Sequence, residues 1–229
     1  MNIINKDPYR VGLLKKLSEK DIQTLVDTFA AEPQEEPGIL GGRGKITKTV
    51  LENNLPVVVK YYKRGGFLRH FIKQSYLRAG KTRSQIEFEM LKKARDLGIS
   101  VPEPIAWASC GSLFYKGWLV TKEIKDNISL ADYCLAEPSD INEVLSMATD
   151  QVKLLIQNKI IHLDLHPGNI LFDGKNVFVI DFDKSKTANH NEKYFIDFYI
   201  ERWKRAVKKH RLPEKTATIF EETLMSDSL

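Results

Sequence analysis

Apolar residues recur along this chain with two different periods, and the places where the period changes divide it into elements. Residues 18–31, SEKDIQTLVDTFAA, set Ile22, Leu25, Val26 and Phe29 three and four positions apart behind Ser18, a residue that suits an N-cap, and the pattern stops before Pro33. That is a helix. AEPQEEPG, with its prolines and acids, is a linker. In ILGGRGKITKTVLENNLPVVVKYYK the period shortens: Thr47, Thr49 and Val50 lie on one arm and Val57, Val58 and Val59 on the other, joined by an Asn53-Asn54 turn. Residues 83–97 return to a helical period, with Ile86, Met90 and Leu97 along the expected buried side and Gly98 as the stop. VPEPIAWA and FYKGWLVTKEI read as strands.

From residue 139 helices dominate. SDINEVLSMATDQVKLLIQNK, capped by Ser139 or Asp140, turns Ile141, Val144, Leu145, Ala148, Val152 and Leu155 inward. A hairpin, NILFDGKNVFVIDFD, reverses at Asp173-Gly174, and a last helical region carries Phe195, Tyr199, Trp203 and Val207. The expected fold class is α+β, a single two-lobed domain over residues 1–229. Residues 1–37 form a helical N-terminal extension, 38–122 a β-rich lobe and 123–229 a short, mainly helical lobe, with the turn at 41–44 and the loop at 162–169 lining a cleft between the lobes.

Composition narrows the class without choosing a function. An apolar fraction of 42% with 28% charged residues is that of a globular protein rather than a disordered one. The start, MNIINKDPYR, lacks the apolar core of a signal peptide, and no apolar run approaches the ~18 residues of a membrane span. Cys110 and Cys134 provide neither metal spacing nor a disulfide framework, which suits a reducing cytoplasm. The net charge of +5 fits phosphate-bearing partners of any kind.

The chemistry concentrates in HLDLHPGNILF, residues 162–172. His162, Asp164 and His166 alternate as they would on a strand facing one transition metal, the basis of a metal-hydrolase reading. The other histidines, His70, His190 and His210, sit in segments without carboxylate spacing to complete such a site. The alternative counts Asp164, then Asn169 five residues later, then a hairpin that ends in Ile180-Asp181-Phe182-Asp183. Kinase catalytic loops use that order: an Asp as base, an Asn as metal ligand and a second Asp past the next hairpin as the other ligand. Asn169 and Asp181 would offer the hard oxygens that Mg²⁺ prefers. Upstream, Gly41-Gly42-Arg43-Gly44 can bring backbone N–H groups to phosphate oxygens, and Lys60 ends a strand where an ammonium can meet phosphates. Glu87, chosen over Glu89 by its alignment with the helix's buried face, is the candidate partner of Lys60. A hairpin turn, an edge lysine and a solvated helix carboxylate are the plain alternatives for these three features. The kinase order wins because all of its parts are present in sequence.

With these motifs the chain resembles the protein-kinase-like superfamily and, within it, the bacterial lipopolysaccharide kinases, especially those of 3-deoxy-D-manno-octulosonic acid (Kdo). GGRG at 41–44, YYKRGG at 61–66, YLRAGKTRSQIEFEML at 76–91, LGISVPEPIA at 97–106 and IDFDKS at 180–185 carry the similarity over residues 38–205. The resemblance implies ATP and Mg²⁺, transfer of the γ-phosphate to a sugar hydroxyl of Kdo-lipid A, and a place at the cytoplasmic face of the inner membrane. It also implies roles: Asp164 as base, Asn169 and Asp181 as metal ligands, Lys60 and Glu87 as the nucleotide pair, and main chain near Glu123 and Ile124 holding the adenine. HLDLHPGNIL itself looks more like the loop of aminoglycoside or choline kinases. The chain ends soon after Asp181 without an Ala-Pro-Glu sequence, so a peptide-docking protein kinase does not fit, although a compact atypical protein kinase of the RIO type does. Asp183 stands where protein kinases have glycine, which reduces the freedom of that segment to reach positive φ. A catalytically silent kinase fold is disfavoured because none of the five polar residues is missing.

From Val57 to Ile86 there are eight Lys/Arg and no acid, interleaved with Tyr61, Tyr62, Phe67, Phe71 and Tyr76. A solvated basic surface explains this, and so does contact of the 60–83 segment with anionic lipid headgroups or acceptor phosphates, at ~1 kcal/mol per cation near a membrane. Nucleic acid binding lacks a recognition motif. The expected partners are ATP, a glycolipid or small-molecule sugar acceptor, and an anionic membrane surface.

Overall fold

In the computed structural model, residues 1–31, 45–62, 76–77 and 80–226 are described. The glycine turn at 41–44 and most of the basic 60–83 segment lie outside them. Two compact units emerge: Met1–Lys92 with Glu103–Glu123, and Lys93–Pro102 with Ile124–Leu229.

The first unit is built on an antiparallel sheet. Strands β1 (Asn2–Lys6) and β2 (Tyr9–Leu13) form a hairpin, followed by helix α1 (Glu19–Ala30), whose Ser18 cap accepts from the Asp21 N–H at 3.0 Å. Then come β3 (Lys45–Leu51), β4 (Leu55–Tyr62), β5 (Tyr76–Leu77), helix α2 (Arg83–Asp96, of which the residues from Lys93 on count with the second unit), β6 (Pro104–Cys110) and β7 (Phe114–Lys122). The strand order is β1-β2-β6-β7-β4-β3, with β5 pairing β7. Asn53 and Asn54 both take positive φ in the β3–β4 turn, a conformation that asparagine tolerates better than most residues.

Residues 2–13 depart from the expected helical extension: they are strands, joined to the sheet through pairs such as Val11↔Ala108 and Gly12↔Trp107. Gly12 lies under the Trp107 indole so closely that an added Cβ would come within 2.1 Å of its ring nitrogen. Alternation along β4 sends Val57, Val59 and Tyr61 into a core with Leu25 and Phe29 of α1, Val11, Leu13, Trp118 and Val120. Val58, Lys60 and Tyr62 therefore point to the opposite face.

Helix α2 also differs from its expectation. Its buried row is Ser84, Glu87, Phe88, Leu91 and Ala94, whereas Ile86 is 40% exposed. The row keeps a helical period but includes polar members, because Ser84 donates to the Ala108 carbonyl at 3.0 Å and Glu87 meets a cation.

The second unit contains β8 (Ile128–Ser129), α3 (Leu130–Leu135), α4 (Ile141–Gln157), β9 (Ile160–Ile161), β10 (Ile170–Phe172), β11 (Val177–Val179), β12 (Lys186–Thr187), α5 (Glu192–His210) and α6 (Lys215–Met225). All six positions expected to face inward on α4 are buried, as are Phe195, Tyr199, Trp203 and Val207 on α5. Trp203 stacks on Phe220 of α6 at 4.1 Å between ring centres. Between β10 and β11, the Asp173 carboxylate accepts from the N–H groups of Lys175 and Asn176, and Gly174 supplies the positive φ that the turn requires.

Candidate functional sites in the two units

In the first unit, Lys60 sits on β4 opposite Ile46 of β3 and Leu119 of β7. Its ammonium donates to both carboxylate oxygens of Glu87, at 3.0 and 2.9 Å. Glu87 is 1% exposed, so its charge has little water and depends on these partners. The Tyr62 hydroxyl also bonds Glu87, and the Lys60 ammonium lies 5.2 Å from the Tyr62 ring centre. From sequence Tyr62 stands only among the aromatics of the basic segment, with no role beside Glu87. Its signal is the strand period, which puts residues 60 and 62 on one face. Glu89, the rejected alternative, instead pairs with Lys81 at 2.6 Å. Glu123 is engaged twice: its N–H donates to the Pro56 carbonyl at 2.9 Å and its carboxylate pairs with Lys48 at 3.0 Å.

The second unit gathers Asp164, Asn169 and Asp181 around His162. Strand β9 delivers the chain to His162 and the Tyr199 hydroxyl of α5 fixes that entry, donating to the Ile160 carbonyl at 2.8 Å and accepting from the His162 N–H at 3.0 Å. The His162 imidazole is buried. Its Nε2–H donates to the Ile180 carbonyl at 3.0 Å, which leaves Nδ1 to accept from the Asp164 N–H at 3.3 Å. One neutral ring thus ties the residue before Asp181 to Asp164 itself. Burial pushes its pKa down from 6.5 to about 4, against the opposing pull of the nearby Asp181 and Asp164 carboxylates, so the ring is uncharged at neutral pH. Phe182 packs edge-on against it at 4.7 Å.

His166 Nδ1 accepts from the Gly168 N–H at 3.0 Å and so caps the 3-10 turn Pro167–Asn169. Asn169 then donates through Nδ2 to the Asp164 carbonyl at 2.8 Å, and its own carbonyl accepts from the Ile180 N–H at 3.0 Å. These two bonds bring both candidate metal ligands to neighbouring positions on the hairpin. An amide held through Nδ2 keeps Oδ1 for a cation, and a carboxylate completes a pair of hard oxygens. The donor set fits Mg²⁺, which takes few protein ligands and fills its shell with water and phosphate oxygens. Asp181 has φ 64°, a left-handed conformation that costs a non-glycine residue about 1 kcal/mol or more. The positive φ in this stretch therefore falls on the candidate ligand, and Asp183 does not share it.

The metal-hydrolase reading fails on the same bonds. Both nitrogens of His162 and one of His166 are engaged by the protein's own groups, and the described residues hold no cluster of three His, Cys, Asp or Glu suited to a metal.

Asp164 is half-exposed, and Arg202 of α5 approaches it with Nη2 at 3.5 Å from Oδ1. Arg202 escaped the sequence reading. It lies 38 positions from Asp164, and its only local signal is that it follows the buried Tyr199 by one helical turn.

A family model described as the lipopolysaccharide kinase (Kdo/WaaP) family matches residues 13–222. The chain is 31% identical over 184 residues to a 3-deoxy-D-manno-octulosonic acid kinase of Vibrio parahaemolyticus, covering 78% of this chain and 76% of that one. It is 30% identical over 186 residues to a protein of the same name from Photobacterium profundum, covering 79% and 78%. A solved structure, WaaP in complex with acyl carrier protein, aligns with 99% of this chain and 89% of that one at a TM-score of 0.59 and 12% identity, a likeness of fold.

Proposed function

Because the chain belongs to the lipopolysaccharide kinase (Kdo/WaaP) family and is a phosphotransferase with a kinase-like fold, we propose that it transfers the γ-phosphate of ATP to a hydroxyl of Kdo in Kdo-lipid A. The observation that carries this reading is the neutral His162 brace, which holds Asp164 and the Asn169–Asp181 pair in one small constellation. Asp164 orients the acceptor hydroxyl and takes its proton as the oxygen attacks. Its side chain is exposed enough to meet an acceptor, and its backbone is fixed at the N–H and at the carbonyl. Asn169 and Asp181 would hold Mg²⁺. The metal, when bound, offsets charge on the transferring phosphoryl group.

In the first unit Lys60 serves the nucleotide phosphates, held extended by Glu87, which the Tyr62 hydroxyl also bonds. The adenine edge is assigned to the main chain near Glu123 and Ile124: the Glu123 N–H is bound to Pro56 and the Ile124 carbonyl accepts from Asn127 at 2.6 Å, so the peptide group between the two residues, whose C=O and N–H point in opposite directions, offers one hydrogen bond to that edge. No helix among the described residues is long and apolar enough to cross a membrane. Contact with the cytoplasmic face of the inner membrane is assigned to the basic 60–83 segment, and sedimentation with anionic vesicles tests it.

The deciding experiment is phosphoryl transfer from labelled ATP to Kdo-lipid A, free Kdo, an aminoglycoside and a generic protein, with and without Mg²⁺. Label on Kdo-lipid A that requires Mg²⁺ supports the reading. Label confined to the aminoglycoside or the protein replaces the acceptor and keeps the kinase.

A further inference from the structure

Tyr194, Phe198 and Arg202 recur every four residues on α5 and therefore share one helical face. His190 stacks on Tyr194 at 4.0 Å, and the Tyr194 and Phe198 rings lie nearly parallel at 6.3 Å. The Arg202 guanidinium sits 5.5 Å from the Phe198 ring centre. The row runs from an exposed tyrosine to the arginine that approaches Asp164.

Arg202 is under-used where it stands. A guanidinium carries five N–H donors in a rigid fork suited to carboxylates. Among the described residues its one carboxylate contact is the 3.5 Å approach to Asp164, at the outer edge of hydrogen-bond geometry, and its Nε–H is buried without an acceptor. The cations near Arg202 and His166 are Arg205 and Lys209, and the Asp164 carboxylate lies near both. The His166 pKa is lowered mainly by burial, and Asp164 raises it while His210, Lys209 and Arg202 lower it further. His166 and His210 face each other at 5.8 Å. A site with spare donors, fixed by ring contact and with cations near it, takes an anion.

We propose that this face of α5 is the acceptor-sugar subsite, in which Arg202 takes the carboxylate of an acidic sugar while Phe198 and Tyr194 offer apolar surface to its ring. The proposal rests on the Kdo-lipid A reading above and adds how the sugar is recognised. Kdo is a sugar acid, ionised at neutral pH. Anchoring its carboxylate on the arginine beside Asp164 brings hydroxyls of the same ring to the base, and a neutral sugar lacks that anchor. Arg202 is thus a specificity residue.

The test compares Kdo-lipid A with the same lipid after its Kdo carboxyl is reduced to an alcohol, so that the lipid phosphates are common to both. Wild type is expected to favour the acid by about ten- to a hundredfold in kcat/KM, the range of a charge-assisted hydrogen-bonded pair. In Arg202→Met that ratio should fall to within about threefold, and in Arg202→Lys, which keeps charge but loses the fork, to an intermediate value. The wild-type ratio needs no variant, so it stands even if Arg202→Met folds poorly. Equal turnover of acid and alcohol by wild type overturns the subsite and leaves the kinase reading intact. An equal fall on both acceptors in Arg202→Met, with the ratio preserved, overturns it in favour of a residue that only positions Asp164. Wild-type transfer to neither lipid, with transfer elsewhere in the acceptor panel, overturns the Kdo reading and the subsite with it.

Discussion

Two regions of this chain hold acidic side chains in place by opposite means. Around Lys60, charge is held by charge: Glu87 is sealed from water and both of its oxygens are bonded to an ammonium. Around Asp164, the brace is uncharged, because His162 is buried and neutral and reaches only backbone groups. The difference follows from what each region must leave open. The Glu87 carboxylate is spent on fixing Lys60. In the proposed reaction Asp164 takes a proton and Asp181 meets a metal, and a charged imidazole between them would compete for both carboxylates. A neutral ring that bonds the Asp164 N–H and the Ile180 carbonyl adds no charge of its own beside either carboxylate.

The comparison breaks first at Asp164. Asp164→Ala is expected to lower kcat by about 10²–10⁴-fold with Mg·ATP affinity within about threefold of wild type, measured by steady-state kinetics beside equilibrium nucleotide binding. Near-normal turnover would remove the base assignment. In the other region, Lys60→Met should lower kcat/KM for ATP by about a hundredfold, the scale of losing one preorganised charge contact. It also leaves Glu87 buried without its cation. Breaking a fully buried pair costs about 3–5 kcal/mol, and the 25% exposure of Lys60 brings the expectation to about 1–3 kcal/mol in urea unfolding.

The neutral brace has its own signature in pH. An unfolded His162 takes up a proton near 6.5, while the folded one resists until about 4, so between these values the unfolded chain binds more protons. Stability therefore falls as pH drops through that window, with a slope from this residue approaching about 1.4 kcal/mol per pH unit. His166 and His210, also lowered chiefly by burial, act in the same direction. His162→Leu should lose its part of that slope and, by leaving the Asp164 N–H and the Ile180 carbonyl unpaired, cost about 2–4 kcal/mol at pH 7. An unchanged acid slope in that variant would show that the ring is not the group refusing the proton. Tyr62→Phe is the finest probe. It removes one bond to Glu87 and should cost about 1 kcal/mol, with KM for ATP raised no more than about threefold.

Much of this was legible in the sequence. The inward rows of α4 and α5 follow from apolar spacing, because those faces are buried by apolar contact alone. The α2 face was misread because hydropathy ranks Ile86 above Ser84 and Glu87. Those two are buried through partners on distant strands, Ala108 and Lys60. The first hairpin was missed because Ile3 and Ile4 are adjacent and give no clean alternation, so β2 is fixed by its pairing with β6, about a hundred residues on.

Read along the chain, the candidate residues already stand in order, and Asp164, Asn169 and Asp181 stand at spacings that a turn and a hairpin close. These are short-range properties, set by backbone geometry over a few residues. Which groups hold them is settled by contacts between distant parts of the fold. The tertiary structure gave Glu87 to Lys60 and Tyr62, made His162 a neutral brace rather than a metal ligand, and brought Arg202 to Asp164. Those choices depend on which distant surfaces bury one another, and no local period encodes that.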